Sequence, residues 1–358
     1  MRILQIINDL QIGGAQRLLT DLLPLLNKQH NVDVLVLQQR QSPLMQQLRD
    51  SGITLYCLNI KSLYFPTTIF RIRRFLRCHP LYDIIHVHLF PSLYWVPMAV
   101  AGMHQRLVWT EHSTSNRRHQ TMVFRYTDRI VYSSYEKIIC ISQATRDSLK
   151  SWLNARDIDK HLCVIENGID TQKFRNQKKE KRQPRSLIQV SRFEASKDQD
   201  TVIKAMLQLP SYMKLTLVGD GSRLDECKAL CNSLGLQDRV CFLGARADIA
   251  QLLSQADIAI QSSHWEGFGL TAVEAMAAGL PVIASDVDGL RQVVEGAGLL
   301  FPLGDAEALS KHVMHLLSDE NAYQEVADKC LHRAQQYDIQ ETANKYIAIY
   351  ESTISHTP

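Results

Sequence analysis

The regular alternation of short β-branched runs with longer stretches of helical spacing limits the fold of this chain more than any other feature. In the first half the candidate strands are residues 3–7, 32–37, 53–58, 84–88, 106–110, 137–142 and 162–166. In the second half they are residues 186–191, 214–220, 240–244, 258–263 and 281–286. Strands separated by helix-length segments indicate parallel sheets built from βαβ units. The sequence therefore predicts an α/β protein with two doubly wound, Rossmann-like parallel sheets.

A polar, charged run at residues 175–185 separates the two halves and contains a single proline. Such a composition is typical of a linker, so we expect domains at 1–175 and 183–337 with a cleft between them. Ligands of doubly wound sheets bind at the carboxyl ends of the strands, which makes residues after strands the first candidates for a site. Segment 338–358 has helical spacing. This last helix either packs on its own domain, the simpler expectation, or crosses back to the first domain.

Cysteine usage, the length of the apolar runs and the distribution of charge indicate the cellular compartment and the partners of the chain. The eight cysteines form no Cys-x-x-Cys pair, which favours reduced thiols in a cytoplasm over a disulfide framework. No apolar run is long enough for a signal-peptide core or a membrane-spanning helix. Residues 1–179 hold 24 Lys and Arg against 13 Asp and Glu, whereas the remainder holds 16 against 24. This segregation suggests that the first half meets a membrane surface, a phosphorylated acceptor or a nucleic acid.

The segment HWEGFGLTAVEAMAAGLPVIASD (264–286) follows a predicted strand and indicates a glycine-containing turn and a helix from about residue 270 to 278. The amides of Phe268, Gly269 and Leu270 belong to the first turn of that helix, where unpaired N–H groups and the helix dipole bind phosphate. Glu266 and Glu274 flank this turn and can accept hydrogen bonds from sugar or ribose hydroxyls. The apolar neighbours of Glu274 argue against a solvated position, and a buried carboxylate needs partners.

The two glutamates, separated by seven intervening residues, and the Phe268-Gly269 turn resemble the donor-binding signature of glycosyltransferase family four. The resemblance spans nearly the whole chain and is strongest from 186 to 302. It implies the GT-B fold, a nucleotide-diphosphate sugar as donor and retention at the anomeric carbon. It also implies that Glu266 contacts the donor sugar, and that Phe268, Gly269, Leu270 and Glu274 bind the rest of the donor.

Other motifs of the second half are similar to those of the family and occur in the same order. VSRFEASKDQD (190–200) is similar to its diphosphate clamp, carried here by Arg192 and Lys197. A guanidinium forks across phosphate oxygens and an ammonium adds a compact charge, which suits a leaving diphosphate. Many members place glycine after the lysine, whereas this chain has Asp198, which leaves the Lys197 assignment intact but does not fix the shape of the loop. The resemblance also implies donor contacts at Gly219 and Arg246.

In the first half, NDLQIGGAQR (8–17) resembles the family loop whose glycines, here Gly13 and Gly14, approach the donor phosphate and the acceptor. A plain tight turn is the structural alternative. HVH (86–88) and WTEHS (109–113) each place a histidine at the end of a predicted strand. His112 matches the family position beside the reacting sugar, so we assign it to the catalytic set with Glu266, Arg192 and Lys197. A histidine such as His88 is more often a polar residue of the core.

The resemblance implies a front-face reaction in which the leaving diphosphate helps to deprotonate the acceptor. Arg192, Lys197 and the helix terminus would stabilise the charge that develops on that phosphate. They would replace the metal ion of other glycosyltransferases, and the first half has no Asp-x-Asp motif at a strand end. We therefore expect neither a metal nor another cofactor beyond the nucleotide sugar as co-substrate.

The sequence thus favours a transferase that moves a hexose or N-acetylhexosamine, most commonly from a UDP-sugar, to a glycan or lipid-linked acceptor. Bacterial-type cell-surface polysaccharide or glycolipid assembly is the expected setting. A nicotinamide dehydrogenase is disfavoured because Gly-x-Gly-x-x-Gly does not follow the first strand. A GT-B nucleotide-sugar epimerase and a catalytically silent sugar-nucleotide-binding protein stay open as alternatives.

The basic first half leads to an expectation about location. FRIRRFLRCH (70–79) interleaves Arg71, Arg73, Arg74 and Arg77 with apolar residues, a pattern suited to an anionic membrane surface. Arg117 and Arg118 add a second cluster. Nucleic acid is a less suitable partner because aromatic residues for base stacking are not concentrated beside these cations. We expect a cytoplasmic protein that associates reversibly with the inner face of the membrane; a solvated helix is the simpler reading.

Overall fold

The computed structural model describes residues 1–11, 13–79, 81–114, 121–155, 157–175 and 186–355. It divides into two compact units. Unit 1 contains residues 1–168 and 339–358, and unit 2 contains residues 169–338. Each unit has its own sheet, and the paired strands of both sheets are parallel. The predicted organisation into two Rossmann-like α/β domains is confirmed.

The described part of unit 1 contains a seven-stranded sheet in the order β3-β2-β1-β4-β5-β6-β7. Its strands are β1 (Arg2–Ile7), β2 (Asn31–Val36), β3 (Thr54–Cys57), β4 (Ile84–His88), β5 (Arg106–Glu111), β6 (Lys137–Cys140) and β7 (Leu162–Val164). The strand order reverses between β1 and β4. The carboxyl ends of β1, β4 and β5 are therefore neighbours at the position where doubly wound sheets bind ligands.

Helices cover both faces of this sheet. They are α1 (Gly14–Asn27), α2 (Pro43–Asp50), α3 (Thr67–Cys78), α4 (Ser92–Val100), α5 (Met122–Tyr132), α6 (Gln143–Leu153) and α15 (Ile339–Ser355). One core joins α3, α4, α5 and α6 to the sheet, and a second core joins α1, α2 and α15 to its opposite face. Both faces of each central strand are thus buried, which explains why all five residues of β4, including its two histidines, are buried.

The described part of unit 2 contains a six-stranded sheet in the order β10-β9-β8-β11-β12-β13. Its strands are β8 (Ser186–Val190), β9 (Lys214–Val218), β10 (Val240–Phe242), β11 (Ile258–Gln261), β12 (Val282–Ser285) and β13 (Leu299–Phe301). Its helices are α7 (Thr171–Phe174), α8 (Gln199–Ala205), α9 (Leu224–Ser233), α10 (Ile249–Gln255), α11 (Leu270–Ala277), α12 (Asp288–Val294), α13 (Ala306–Ser318) and α14 (Glu320–Gln335). Here the order reverses between β8 and β11, and their carboxyl ends carry the motifs at 190–200 and 264–286.

The division between the units falls before residue 169 rather than within the polar run at 175–185. This division lies several residues before the predicted boundary because α7 packs against α10 and α11 and so belongs to unit 2. The last helix does not pack on the unit that precedes it in sequence. It returns to unit 1, where α15 packs on α1 and buries Ile339, Ala343 and Tyr346.

Candidate functional site

The turn before α11 brings backbone amides to the end of β11. Gly269 precedes the helix with φ +90, a left-handed conformation that favours glycine. A Cβ atom there would also lie 2.7 Å from Leu290 Cδ2. Phe268 is buried, and its ring packs edge-to-face on Tyr337 at 5.2 Å. These contacts fix the helix start at Leu270, as predicted, and its first-turn N–H groups carry the positive end of the helix dipole.

Lys197 and Glu266 form an ion pair beside this helix start. Only 16% of each side chain is exposed, and Ser263 Oγ also donates to Glu266 Oε1 at 3.2 Å. The backbone carbonyl of Lys197 accepts hydrogen bonds from Gln189 Nε2 and Ser262 Oγ, both at 3.0 Å. Residues of β8 and of the β11 end therefore hold the lysine backbone. The structure thus brings together two residues that lie 69 positions apart in the chain.

Close backbone approaches hold the loops around this pair. A Cβ atom on Gly289 would lie 2.2 Å from the carbonyl oxygen of Glu266. Gly219 has φ +141, and a Cβ atom there would lie 1.9 Å from the carbonyl oxygen of Ser191. The loops after β8 and β9 thus meet at van der Waals distance because glycine occupies the contact. The resemblance implies a donor contact at Gly219. The structure shows that glycine is also required at this position for the two loops to pack together.

Asp198 occupies the position where many family members have glycine. Its φ of +44 is left-handed, so the backbone keeps the conformation that glycine favours. Its carboxylate caps α8, accepting from Thr201 Oγ1 at 2.6 Å and from Thr201 N at 3.4 Å. Aspartate tolerates the left-handed region better than most residues. The departure from the family pattern therefore preserves the loop and adds a helix cap.

Three other predicted donor residues of unit 2 do not take part in the Lys197–Glu266 ion pair. The side chain of Arg192 is 63% exposed and pairs with Glu194 Oε1 at 2.7 Å. Arg246 donates twice to the Asp248 carboxylate, at 2.8 and 2.6 Å. Glu274 is buried within α11. In the described structure Arg192 thus contacts Glu194 rather than the Lys197–Glu266 pair, and its clamp role stays a prediction.

In unit 1, Gly13 and Gly14 stand at the start of α1. Gly13 is the N-cap with extended backbone, and a Cβ atom there would lie 2.6 Å from the end of the flexible Gln16 side chain. No side chain caps this helix. Its first-turn amides therefore resemble those of α11 in being available to an anion.

His112 directly follows β5 and contacts a second histidine. Its Nε2 lies 3.1 Å from Nδ1 of His88, the last residue of β4, and His88 Nε2 lies 2.8 Å from Gln5 Oε1. Burial lowers the pKa of His112 to about 3 and that of His88 well below its usual value, so both rings are neutral near pH 7. The sequence treated His88 as a core residue; it is buried, yet it is also the direct neighbour of the predicted catalytic histidine.

The described residues contain neither a metal-binding cluster nor a membrane-spanning helix. No group of three or more His, Cys, Asp or Glu side chains could hold a metal ion within them. Among the same residues, no helix is long and apolar enough to cross a membrane. Arg117 and Arg118 of the second basic cluster lie outside the described residues.

Comparison with protein families matches almost the whole chain. Residues 12–173 match the model of "Glycosyltransferase Family 4", and residues 170–335 match that of "Glycosyl transferases group 1". The two matches follow one another along the chain and correspond closely to the two sheets. The chain belongs to glycosyltransferase family four.

Relatives of this family-four chain are enzymes with different substrates. It is 31% identical over 169 residues to N-acetyl-alpha-D-glucosaminyl L-malate synthase of Bacillus anthracis, a match that covers 46% of this chain and 44% of that protein. It is 29% identical over 213 residues to N,N'-diacetylbacillosaminyl-diphospho-undecaprenol alpha-1,3-N-acetylgalactosaminyltransferase of Campylobacter jejuni, covering 54% and 55%. The aligned segments thus span about half the length of these relatives.

Solved structures extend the likeness to the whole fold. Anabaena Alr3699/HepE, crystallised with UDP and glucose, superposes with a TM-score of 0.85 at 22% identity. The match covers 98% of this family-four chain and 100% of that one. At this identity the likeness establishes the fold alone, which is the GT-B fold of two Rossmann-like domains.

Proposed function

We propose that the protein is a retaining glycosyltransferase that moves a hexose or N-acetylhexosamine from a UDP-sugar to a glycan or lipid-linked acceptor. Cell-surface polysaccharide or glycolipid assembly is the proposed setting. The observation that carries this proposal is the Lys197–Glu266 pair beside the first turn of α11. It joins a cation for phosphate, a carboxylate for sugar hydroxyls and a helix start for an anion in one small region.

The pair has hydrogen-bonding capacity for both parts of a nucleotide sugar. An ammonium has three donors, so Lys197 can contact Glu266 and a phosphate oxygen together. A carboxylate has about four acceptor positions, so Glu266 can accept from Lys197 and from sugar hydroxyls. Lys197 would thereby link the sugar-binding residue to the departing diphosphate. The amides at the start of α11 would complete the anion site.

These groups suit a front-face reaction. The bond from the anomeric carbon to the phosphate oxygen breaks, and the acceptor oxygen bonds to that carbon on the same face. The acceptor proton passes to an oxygen of the leaving diphosphate. Lys197 and the α11 amides would stabilise the charge that develops there, and each such donor contributes about 10²–10³ in kcat. Arg192 would join them by exchanging Glu194 for the diphosphate.

The family resemblance and the relatives support the proposed donor and acceptor classes. UDP-sugars are the donors that its members use most often, and the Anabaena structure shows that this fold accommodates UDP and glucose. The name of the Campylobacter relative specifies a diphospho-undecaprenol-linked acceptor. We therefore propose a lipid-linked acceptor first and a soluble glycan second.

A lipid-linked acceptor requires contact with a membrane, and one face of unit 1 suits that contact. The α3–α5 face, formed by α3, α4 and α5, exposes several large apolar side chains: Phe70, Met98, Met122, Val123, Tyr126 and Ile130. Arg71, Arg74 and Arg77 of α3 are exposed beside them. The single carboxylate of the three helices, Asp128, is buried. An apolar face with exposed cations and no exposed acid fits an anionic bilayer surface.

Arg73 does not belong to this set. It donates to the carbonyl oxygens of Ala99 and Ala101 at 2.9 and 2.8 Å, so it stabilises the end of α4. Of the four arginines expected at the membrane, three are therefore retained. Vesicle sedimentation tests them: binding to anionic vesicles at low salt should fall when Arg71, Arg74 and Arg77 become Gln. A triple change of exposed unit 2 lysines, Lys204, Lys228 and Lys311 to Gln, should leave binding unchanged, and equal loss in both would remove the membrane proposal.

Product analysis tests the transfer itself. Purified protein is incubated with a panel of nucleotide sugars, with and without polyprenyl-diphosphate-linked saccharides. Release of nucleoside diphosphate that depends on the acceptor, with an anomeric configuration equal to that of the donor, is the expected result. A new nucleotide sugar formed without acceptor would instead identify an epimerase. Nucleotide binding without turnover of any donor would identify a silent binding protein.

A further inference from the structure

A line of fully buried polar side chains connects α15 to His112 within unit 1. Gln5, His86, His88 and Tyr350 are each 0% exposed. Tyr350 Oη lies 3.1 Å from Gln5 Nε2 and 2.6 Å from His86 Nδ1. The line continues from Gln5 Oε1 through His88 to His112 Nε2. Buried polar groups at these distances are hydrogen-bonded, so every proton in the line has a defined position.

The amide of Gln5 determines which group donates and which accepts at each hydrogen bond of the line, because its nitrogen only donates and its oxygen only accepts. Gln5 Nε2 donates to Tyr350 Oη, which leaves the phenol proton for His86 Nδ1. On the other side Gln5 Oε1 accepts, so His88 must carry its proton on Nε2. A neutral His88 then has a lone pair on Nδ1 and accepts from Nε2–H of His112.

We propose that Tyr350, Gln5 and His88 act as positioning residues that fix His112 as the tautomer protonated on Nε2. Nδ1 of His112 then carries a lone pair. The hydrogen bond on Nε2 also fixes the plane of the ring, so the direction of that lone pair is defined by the fold. The C-terminal helix thereby determines the hydrogen-bonding character of a residue that follows β5.

The consequence for substrate rests on the proposed function together with the position beside the reacting sugar that the family resemblance implies for His112. A lone pair on Nδ1 accepts a hydrogen bond from a sugar hydroxyl. It repels a carboxylate placed at the same point, because both groups are acceptors. The site therefore favours donors with a hydroxyl there over uronate donors. The lowered pKa values of His86, His88 and His112 support this, since a neutral ring adds no positive charge that would attract a carboxylate.

Nitrogen NMR of histidine tests the tautomer without reference to activity. The full chain, labelled with ¹⁵N in its 13 histidines, is examined by long-range ¹H–¹⁵N correlation at pH 7. The His112 signals are assigned by their loss in His112→Asn. We expect Nε2 of His112 to have the shift of a protonated nitrogen and Nδ1 that of a nitrogen with a lone pair. The reverse pattern, which a rotated Gln5 amide would produce, or a doubly protonated ring would overturn the proposal.

Two matched variants of α15 test the origin of the effect. Tyr350→Phe removes the acceptor of Gln5 Nε2, so the amide is free to rotate and His112 should show a mixture of tautomers. Tyr346→Phe removes a phenol one turn away whose contact, Thr110 Oγ1 at 3.4 Å, lies beyond His86. It should leave the His112 pattern unchanged. An unchanged pattern in Tyr350→Phe, or the same change in both variants, would contradict a role for Tyr350.

Kinetics then separate this proposal from the proposed function. If the protein is a transferase, Tyr350→Phe should lower kcat about 3- to 10-fold with little change in the KM of the nucleotide sugar, because the ground-state donor contacts stay in place. A correct tautomer in a protein without transfer activity would refute the proposed function alone. Transfer activity with the reverse tautomer would refute the positioning line alone.

Discussion

The two units build their candidate sites in different ways. In unit 2 one continuous segment, 264–289, supplies a turn, a helix start and two glutamates that are recognisable in the sequence, and Lys197 joins them from the loop after β8. In unit 1 the site histidine depends on residues up to 345 positions apart, because Gln5 and Tyr350 meet only in the folded unit. The first kind of site is encoded by local backbone conformation. The second is encoded by packing of a returning helix, which no local pattern reveals.

The largest expected effect concerns the donor site of unit 2. Lys197→Ala should lower kcat about 10³-fold, because a preorganised charge next to the leaving diphosphate is lost. Steady-state kinetics with the best donor and acceptor measure this effect, and circular dichroism checks the fold. Lys204→Ala on α8 is the matched control and should retain full activity. Turnover of Lys197→Ala within a few-fold of the parent would remove Lys197 from the catalytic set.

The buried line of unit 1 should make that unit sensitive to acid. His86, His88 and His112 have lowered pKa values in the folded state because of burial, whereas in the unfolded chain they titrate near 6.5. Below that pH the unfolded state binds more protons, so stability is present above pH 6.5 and is lost as pH falls. Between pH 7 and 5.5 each histidine should cost about 1 kcal/mol of the free energy of unfolding.

Urea unfolding followed by tryptophan fluorescence measures this loss, because Trp95, Trp109 and Trp152 all lie in unit 1. The remaining tryptophan, Trp265, is replaced by Phe so that unit 2 does not contribute. The midpoint should fall clearly at pH 5.5. If it is the same at both pH values, the three rings are not neutral and enclosed as the structure has them.

Gly289 allows a steric clash next to the candidate site to be compared with a clash of similar size elsewhere in unit 2. Gly289→Ala should displace Glu266, because the new Cβ atom would lie 2.2 Å from its carbonyl oxygen. We expect kcat to fall roughly 10- to 100-fold, since small misplacements of reacting groups are costly. Gly298→Ala is the control, because its new Cβ atom would lie at a similar distance, 2.4 Å, from the carbonyl oxygen of Val282. Both should lower Tm, and equal specific activities of the folded variants would show that Gly289 only supports the fold.

These contrasts explain how much of the molecule the sequence could predict. Twelve strands were found because apolar β-branched runs mark buried parallel strands, whereas β13 was missed because Leu299–Phe301 contains no β-branched residue. The Glu266 turn was found because its spacing reflects a fixed strand–turn–helix geometry. The contact of Lys197 with Glu266 and that of His88 with His112 join different strands, so the sequence could name the residues and not their pairing. The placement of α15 depended on tertiary packing, and helical spacing fits either unit equally well.

Asp198 tests the loop in which this chain departs from its family. Asp198→Ala should lower the free energy of unfolding by about 2 kcal/mol, because it loses the α8 cap and places alanine in a left-handed conformation. Asp198→Gly should cost less, about 1 kcal/mol or below, since glycine accepts that conformation and loses only the cap. Urea denaturation of unit 2 compares them. The opposite ranking would mean that the backbone conformation at 198 contributes little.

The smallest expected effect is the response of transfer to a chelator, which we predict to be nil. Many transferases place a divalent ion on the leaving diphosphate, where it stabilises developing negative charge. In unit 2 the start of α11 offers backbone amides, and Lys197 lies beside it next to Glu266. These fixed groups, joined by Arg192, can supply the same stabilisation without an ion. Initial rates in excess EDTA should therefore equal those without it, and added Mg²⁺ or Mn²⁺ should not raise them. Activity that disappears with EDTA and returns with either ion would place a metal on the diphosphate. The same assay on Lys197→Ala sharpens the comparison, because a partial rescue by Mg²⁺ in this variant alone would show that the lysine occupies the electrostatic position of the ion.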